Sequence, residues 1–449
     1  MNNWAAVILA GGLGLRMKSN IPKVLHTICG KPMISMAVEA VKKTGIKDVV
    51  LVVPHNYEEI SSAIDSKVIY ATQPIPKGTG DALLKASHFL HKPKNILVTY
   101  ADIPLIKPET LIRLMDQHVK RRAQITILTT SRDSNEGMGR ILRDSVNNKI
   151  LSVIEETETD KETYKINEVN AGIYCFDPII IEQILPSLPP AQNGEVYLTD
   201  VIAKAAKLHI IDSIYSNSPW ETLGINDRVK LAECESILRS QIRKMWMEEG
   251  VTIIDPSSTY IDLTAKLGKD TVIYPNTYLI GTTDIGTQCK IGPNTTINNS
   301  SLSAQCVVRD SVIEDSELGE RIQVGPFSHI REQGKIKDDV YIGNFVEIKN
   351  SKLGQYTKVG HFSYIGDAIL GTNVNVGAGT VTCNYDGNNK HLTTIGNNVF
   401  LGSDSMLVAP ISIGEGSSTA AGAVVTKNIP PNHLAVGVPA KHSPRYPMK

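Results

Sequence analysis

Hydrophobic residues in the second half of the chain recur every six positions. Leu267, Ile273, Leu279, Ile285, Ile291 and Ile297 form one run, and Leu318, Val324, Ile330, Ile336, Ile342 and Ile348 form another. The beat slips by one residue and resumes at Leu353, Val359 and Ile365, then at Leu370 and Val376. A last run is Ile395, Leu401, Leu407, Ile413, Thr419 and Val425. The period is neither 3.6 nor 2, and β-branched residues are abundant, so an amphipathic helix is excluded. One short strand and one corner per six residues predict a parallel β-helix with three flat faces per coil, the aliphatic of each hexad lying in a shared core. Glycine follows many of these aliphatics, as at Gly268, Gly286, Gly343 and Gly402. That placement suits corners whose dihedrals glycine adopts freely.

The first half is patterned differently. Short apolar runs (AAVILA, VVLVV, NILVTYAD, ITILTT) alternate with helical patterns (MISMAVEAVKKTG, GDALLKASHFL, PETLIRLMDQHVKRR). Such alternation predicts βαβ units and a mostly parallel sheet covered by helices, a Rossmann-like α/β domain over residues 1–225. Residues 226–250 read as one polar-faced linker helix stopped by Gly250, and the β-helix domain is expected over 251–449. The segment TCNYDGNNKHLTT, residues 382–394, breaks the six-residue beat and must loop out of its coil. Loops on rigid scaffolds often carry function.

Composition removes several classes of partner. The 46 basic and 46 acidic residues balance, so charge gives no reason to expect nucleic acid or a membrane surface. No apolar run reaches the length of a membrane span. The opening MNNWAAVILAGG lacks a basic leader and reads as a first strand, and the six cysteines show no CxxC spacing. A cytoplasmic protein with reduced thiols is expected.

Candidate chemistry in the first half begins where the first strand ends, at Leu9, Ala10, Gly11 and Gly12, followed by Gly14, Arg16 and the Pro22-Lys23 pair. Bare backbone amides at a strand-to-helix turn can surround phosphate oxygens, and two cations stand beside them. The loop is not a Walker A motif, since no GK[ST] follows, and it lacks the GxGxxG spacing. The stretch GGLGLRMKSNIPKVL resembles instead the signature of sugar-1-phosphate nucleotidyltransferases, with Leu15 where a Thr is usual. The resemblance continues through QPIPKGTGDA, YADIPL, GMGRIL, VIEE, EVNAGIY and GIND. It implies that Gln73, Gly78 and Thr79 read a uracil base, with Asp81 where a His is common. It also implies that Asp102 and Asn226 hold Mg²⁺, that Gly139, Glu155, Asn170 and Asn226 bind the sugar, and that Arg16 and Lys23 are catalytic. The reaction this resemblance implies is attack of a sugar 1-phosphate on the α-phosphorus of UTP. Two anions must approach, so positioning and charge neutralisation dominate and no general base is needed.

In the second half, polar residues crowd into 347–390, with Arg331 upstream. Arg331 and Lys349 are one coil apart and should stack into a cationic patch. GHFSYIGDA and GAGTVTCNYDGNNK resemble the acetyltransferase half of bacterial bifunctional enzymes that make UDP-N-acetylglucosamine. The resemblance implies that His361 is the general base toward glucosamine 1-phosphate, oriented by Glu347. It implies that Arg331, Lys349, Tyr364, Asn375 and Lys390 hold the amino-sugar phosphate. Ala378, Asn384, Tyr385, Ser403 and Ala421 would meet acetyl-CoA. At the C-terminal AVGVPAK the family's Arg is absent, which leaves Lys441 or another basic residue to face the CoA phosphates. Homotrimers with acetyltransfer sites between subunits are also implied, serving cell-wall synthesis. A nucleotidyltransferase with a purely structural β-helix is the rival; the joint presence of His361, Tyr364, Asn384, Tyr385 and Lys390 opposes it.

Overall fold

The apolar runs of the first half pair into one sheet. The structure, a computed structural model, describes residues 3–131, 137–191 and 194–444. Its strands are β1 (Trp4–Leu9), β2 (Asp48–Val53), β3 (Ile69–Thr72), β4 (Asn95–Tyr100) and β5 (Ile125–Ser131), then β6 (Arg140–Arg143), β7 (Ile150–Ile154), β8 (Glu168–Phe176) and β9 (Ile211–Tyr215). The order across the sheet is β9-β5-β8-β4-β1-β2-β3, with β6 and β7 attached as a hairpin beside β8. Neighbours run parallel except at β8, which is antiparallel to both β4 and β5. Every residue of β1 is buried, as a central strand covered on both faces requires. Ala6 and Ile8 pack on one side with Ile34 and Val38 of helix α1 (Met33–Lys43), while Val7 and Leu9 pack on the other with Leu83 of helix α2 (Thr79–Ser87). Helix α3 (Pro108–Arg121) buries Leu111, Leu114, Met115 and His118 at helical spacing and begins with Pro108, where a missing N–H costs nothing. Strands β1 and β4 end side by side, so the loops after Leu9 and Tyr100 open at the same edge. Helix α4 (Arg228–Glu248) is followed by Gly250 at φ +92°, a left-handed stop.

Two compact units, Met1–Leu238 and Arg239–Lys449, divide the chain. The second is the left-handed parallel β-helix of the hexads. Its three sheets have twelve, ten and nine strands, and apart from a closing hairpin each strand pairs with the one a full coil later. In the third sheet Leu267, Ile285, Leu302, Leu318, Ile336, Leu353, Leu370, Ile395 and Ile413 form one buried column. Leu302, Val308 and Ile313 are core positions that a strict six-residue count passes over, because some corners there are one residue shorter.

The hexad glycines differ from expectation. Gly268, Gly286, Gly343 and Gly402 are not in the left-handed region. A Cβ on Gly268 would lie 2.5 Å from the carbonyl carbon of Gly286, and one on Gly402 would lie 2.7 Å from that of Ala420. They are glycine because stacked coils approach too closely for a side chain. The left-handed corners fall mainly on polar residues such as Asn276, Asn294, Asp310, Asp339, Asn373 and Asn398, whose short side chains tolerate that region. Phe327, Phe345 and Phe362 are bulky exceptions.

The insertion leaves the coil after Cys383 and returns at Thr393. It is closed by a bridge between Tyr385 and Lys390, and the Asp386 carboxylate accepts from the backbone N–H of Asn388 and Asn389, both 2.8 Å. The last coil ends in a hairpin, His433–Gly437 paired antiparallel with Ala440–Pro444.

Candidate functional site

At the open edge of the α/β sheet the chain leaves β1 and turns back through Gly14. This residue has φ +60°, and a Cβ on it would lie 2.6 Å from Cβ of Lys23. Glycine is thus required twice at this position. The Lys23 ammonium donates to Asp102 Oδ2 at 2.5 Å and to Asn226 Oδ1 at 2.7 Å. Asp102 lies just past β4, and its carbonyl accepts from the N–H of Ile225 at 2.9 Å, which brings Asn226 alongside. Three residues far apart in sequence meet at one point.

A cavity of about 260 Å³ opens beside them. Its wall holds Leu9, Ala10, Gly11, Gly12, Lys23, Gln73, Gly78, Thr79 and Asp102, all of them candidates named from the sequence. Val24, Pro76, Ala82, Tyr100, Glu195 and Tyr197 complete it, and of these Glu195 and Tyr197 lie in no quoted motif. Arg16 is not on the wall. It is exposed on the short turn Leu15–Met17 and has no ion pair or hydrogen bond among the described residues. Leu15 is 80% exposed and also lies off the cavity.

Asp102 and Asn226 direct two hard oxygens at one position, held here by the Lys23 ammonium. Among the described residues no three His, Cys, Asp or Glu side chains converge. One carboxylate and one amide oxygen fit Mg²⁺, which keeps waters and substrate phosphates as its other ligands.

The sugar candidates form a second group. The N–H of Asn170 donates to the Gly139 carbonyl at 2.9 Å, and Asn170 Nδ2 donates to the Tyr174 hydroxyl at 2.6 Å. A Cβ on Gly139 would lie 2.6 Å from Val153 Cγ1 and 3.7 Å from Glu155 Oε2, so Glu155 adjoins it. Burial pushes the Glu155 carboxyl up, while a 2.6 Å bond from Thr199 Oγ1 opposes the shift. The Tyr100 hydroxyl links the two groups. It bonds to Thr79 and feels both Asp102 and Glu155, and burial drives its pKa upward.

In the β-helix the register aligns a different set. Asn344 pairs with His361. Lys358, Asn375, Phe400 and Ser418 pair in turn, each three residues before His361, Ala378, Ser403 and Ala421. These last four therefore occupy one position in four successive coils. Hydrogen bonds from Asp404 N to Ala378 O (2.7 Å) and from Gly422 N to Ser403 O (2.8 Å) continue the stack. The result is a track of small side chains leading away from an imidazole.

His361 Nδ1 lies 2.5 Å from Asn344 Oδ1. An amide oxygen can only accept, so in the neutral ring Nδ1 carries the hydrogen and Nε2 the lone pair. Glu347, expected to orient His361, is instead bound by Arg331 through Nε (2.8 Å) and Nη2 (2.6 Å). The one-coil spacing from Asn344 to His361 was the signal that could have found the true partner.

Arg331, Lys349 and Gly366 pair in register on the neighbouring sheet, as do Glu347 and Tyr364. A Cβ on Gly366 would overlap the Tyr364 hydroxyl, so the phenol lies across that glycine. Asn384 joins from the insertion, its Nδ2 2.5 Å from Asp367 Oδ2 and 3.4 Å from the Tyr364 hydroxyl. Lys349, 7% exposed, reaches Glu332 at 3.4 Å and lies against Lys390. The neighbouring Lys349 charge lowers the Lys390 pKa. Two crowded ammoniums are relieved by an anion. Asn375 stands apart from this group, in the sheet of His361. Tyr385 is exposed and donates to the Gly387 carbonyl at 2.5 Å.

Comparison with known proteins covers both halves. The description "MobA-like NTP transferase domain" matches residues 6–168. "Bacterial transferase hexapeptide (six repeats)" matches residues 264–299 and 392–427. The chain is 43% identical over 437 residues to "Bifunctional protein GlmU" of Geobacillus sp. (strain WCH70), covering 96% of this chain and 94% of that one. The protein of the same description from Syntrophomonas wolfei subsp. wolfei is 41% identical over 98% of this chain and 99% of its own.

Proposed function

This chain belongs to the family of bifunctional GlmU proteins, and we propose that it acetylates glucosamine 1-phosphate with acetyl-CoA and then couples the product to UTP. The products are UDP-N-acetylglucosamine and pyrophosphate. The observation that carries the proposal is the presence of two separate sites, each with the groups its own step needs. A purely structural β-helix would have no use for an oriented imidazole beside a track of small residues.

In the first step the amine of glucosamine 1-phosphate attacks the thioester carbonyl. Nε2 of His361, freed by the Asn344 bond, takes the amine proton, and CoA leaves as its thiolate. Arg331, Lys349 and Lys390 hold the sugar phosphate, with Tyr364, Asn375, Asn384 and Tyr385 at the sugar and acetyl end. Ala378, Ser403 and Ala421 line the path of the pantetheine arm, and Lys441, exposed on the terminal hairpin, offers charge to the CoA phosphates.

In the second step a phosphate oxygen of N-acetylglucosamine 1-phosphate attacks the α-phosphorus of UTP, and the bond to pyrophosphate breaks. Lys23 lowers the repulsion between the anions, aided by Arg16 on the turn that follows the glycine loop. Leu9, Ala10, Gly11, Gly12, Gln73, Gly78 and Thr79 hold the nucleotide. Gly139, Glu155, Asn170 and Asn226 hold the acetamido sugar. Asp102 and Asn226 would hold Mg²⁺, which when bound neutralises charge on the phosphate oxygens.

We assign residues 1–225 to uridylyl transfer, 226–250 to the linker and 251–449 to acetyl transfer. No described helix is long and apolar enough to cross a membrane. We propose a cytoplasmic role in supplying cell-wall precursor. The homotrimer of the resemblance is supported by an exposed aromatic ladder. Phe327, Phe345 and Phe362 stack at 5.3 and 5.1 Å, each about half exposed or more. Such a patch favours cover by another subunit.

The test is to supply glucosamine 1-phosphate, acetyl-CoA, UTP and Mg²⁺, and to follow thiol and pyrophosphate release separately. Release of both is expected, with pyrophosphate dependent on acetyl-CoA. Pyrophosphate only when N-acetylglucosamine 1-phosphate is given directly would reduce the β-helix to a scaffold.

A further inference from the structure

Gln73 is 4% exposed, on the wall of the nucleotide cavity. Its Nε2 donates to Asp81 Oδ2 at 2.8 Å and to the Gly78 carbonyl at 3.1 Å. Both amide hydrogens are therefore spent on the protein. The Oε1 atom lies on the other side, 3.0 Å from where a Cβ on Gly11 would be. A flipped amide would set Oε1 against a carboxylate and a carbonyl, two acceptors facing a third. The carboxylate makes one of the two bonds charge-assisted, roughly twice as strong as a neutral one. Glycine at position 11 keeps the space beside Oε1 clear.

We infer that Asp81 is a positioning residue for base selection, fixing Gln73 so that it offers the incoming base an acceptor and no donor. Uracil carries an N–H at ring position 3 and satisfies such an acceptor. Cytosine carries a lone pair there and leaves two acceptors opposed. A site built around one buried hydrogen-bonding group rejects a mismatched partner far more strongly than a shape filter does. Asp81 thus excludes cytosine without touching the nucleotide. The inference rests on the uridylyl-transfer reading above.

The test compares UTP with CTP in pyrophosphate release by the full chain and by its Asp81→Asn and Asp81→Ala variants. The amide introduced by Asp81→Asn can either accept from or donate to Gln73, so it permits the flipped orientation. Asp81→Ala leaves only the Gly78 carbonyl to hold the Gln73 amide. Both should raise KM for UTP and narrow the ratio of UTP to CTP kcat/KM by about tenfold or more. Acetyl transfer measured on the same preparations should match the parent chain and reports folding. If both variants lose rate equally with the two nucleotides, so that the ratio stays fixed, Asp81 only braces the start of α2 and the inference is overturned. A parent chain that uses CTP as well as UTP overturns it too, leaving nucleotidyl transfer intact. A parent chain that releases pyrophosphate with neither overturns the uridylyl-transfer reading itself.

Discussion

Replacing Asn344 is the sharpest probe of the acetyl-transfer site. Asn344→Ala removes the acceptor that holds the His361 ring and its tautomer. The imidazole then samples orientations and tautomers that cannot take the amine proton. A loss of about tenfold in kcat/KM, or about 1.4 kcal/mol, is expected. Asn344→Asp keeps the shape and adds a charge. At roughly 4 Å, opposite charges attract by about 1 kcal/mol in water and about 4 kcal/mol at the dielectric typical of a protein surface. His361 is exposed, so the effect belongs near the lower figure, or about one pH unit. The sign follows from stabilising the imidazolium. More alkaline solution is then needed to free the base, so the acid limb of kcat/KM against pH moves up by about one unit. At neutral pH the variant is slower, and it recovers as pH rises. Thiol release from acetyl-CoA, measured across pH, reads both variants, and uridylyl transfer serves as a control. An unmoved acid limb in Asn344→Asp, together with a full rate in Asn344→Ala, would refute the orienting role.

Three further outcomes are expected. Asp102→Asn should cut pyrophosphate release by about a hundredfold or more, with part of the loss recovered as Mg²⁺ is raised and thiol release untouched; indifference to Mg²⁺ would remove Asp102 from the cation site. Lys390→Ala should raise KM for glucosamine 1-phosphate by about tenfold, while KM for acetyl-CoA stays unchanged; equal changes in both constants would mean a displaced loop. Gly14→Ala imposes a left-handed cost of about 1–2 kcal/mol and a clash with Lys23, so thermal unfolding should shift down and pyrophosphate release fall, and a variant of parental stability and activity would contradict the geometry.

Much of the architecture was legible because it is periodic. A six-residue beat leaves few choices, and strand-helix alternation leaves few more. The antiparallel entry of β8 between β4 and β5 was not legible, since its apolar run says that it is buried but not beside which strands. The corners were misread for a similar reason. Glycine satisfies both a strained dihedral and a close approach, and only coordinates separate the two demands at Gly268 or Gly402. At the α/β site the motifs named most of one cavity wall because each motif follows a strand that ends at the same edge. Tyr197 carries no such flag, because the polar stretch before it belongs to none of those motifs. Arg16, chosen for its charge, is exposed away from the wall. Asn344 was missed because its partnership is written in the coil length rather than in local sequence.

The closing hairpin has a consequence for the solution behaviour of the β-helix. A regular parallel coil is self-complementary along its axis, since its last turn offers the hydrogen-bonding lattice that another first turn accepts. Left bare, such ends could join head to tail into filaments. His433–Gly437 folds back against Ala440–Pro444, which reverses strand direction at that end. A foreign coil would meet the wrong polarity, exposed Lys441 and His442, and Pro444 with no N–H to give. The hairpin thus blunts one of the three sheet edges at that end of the stack.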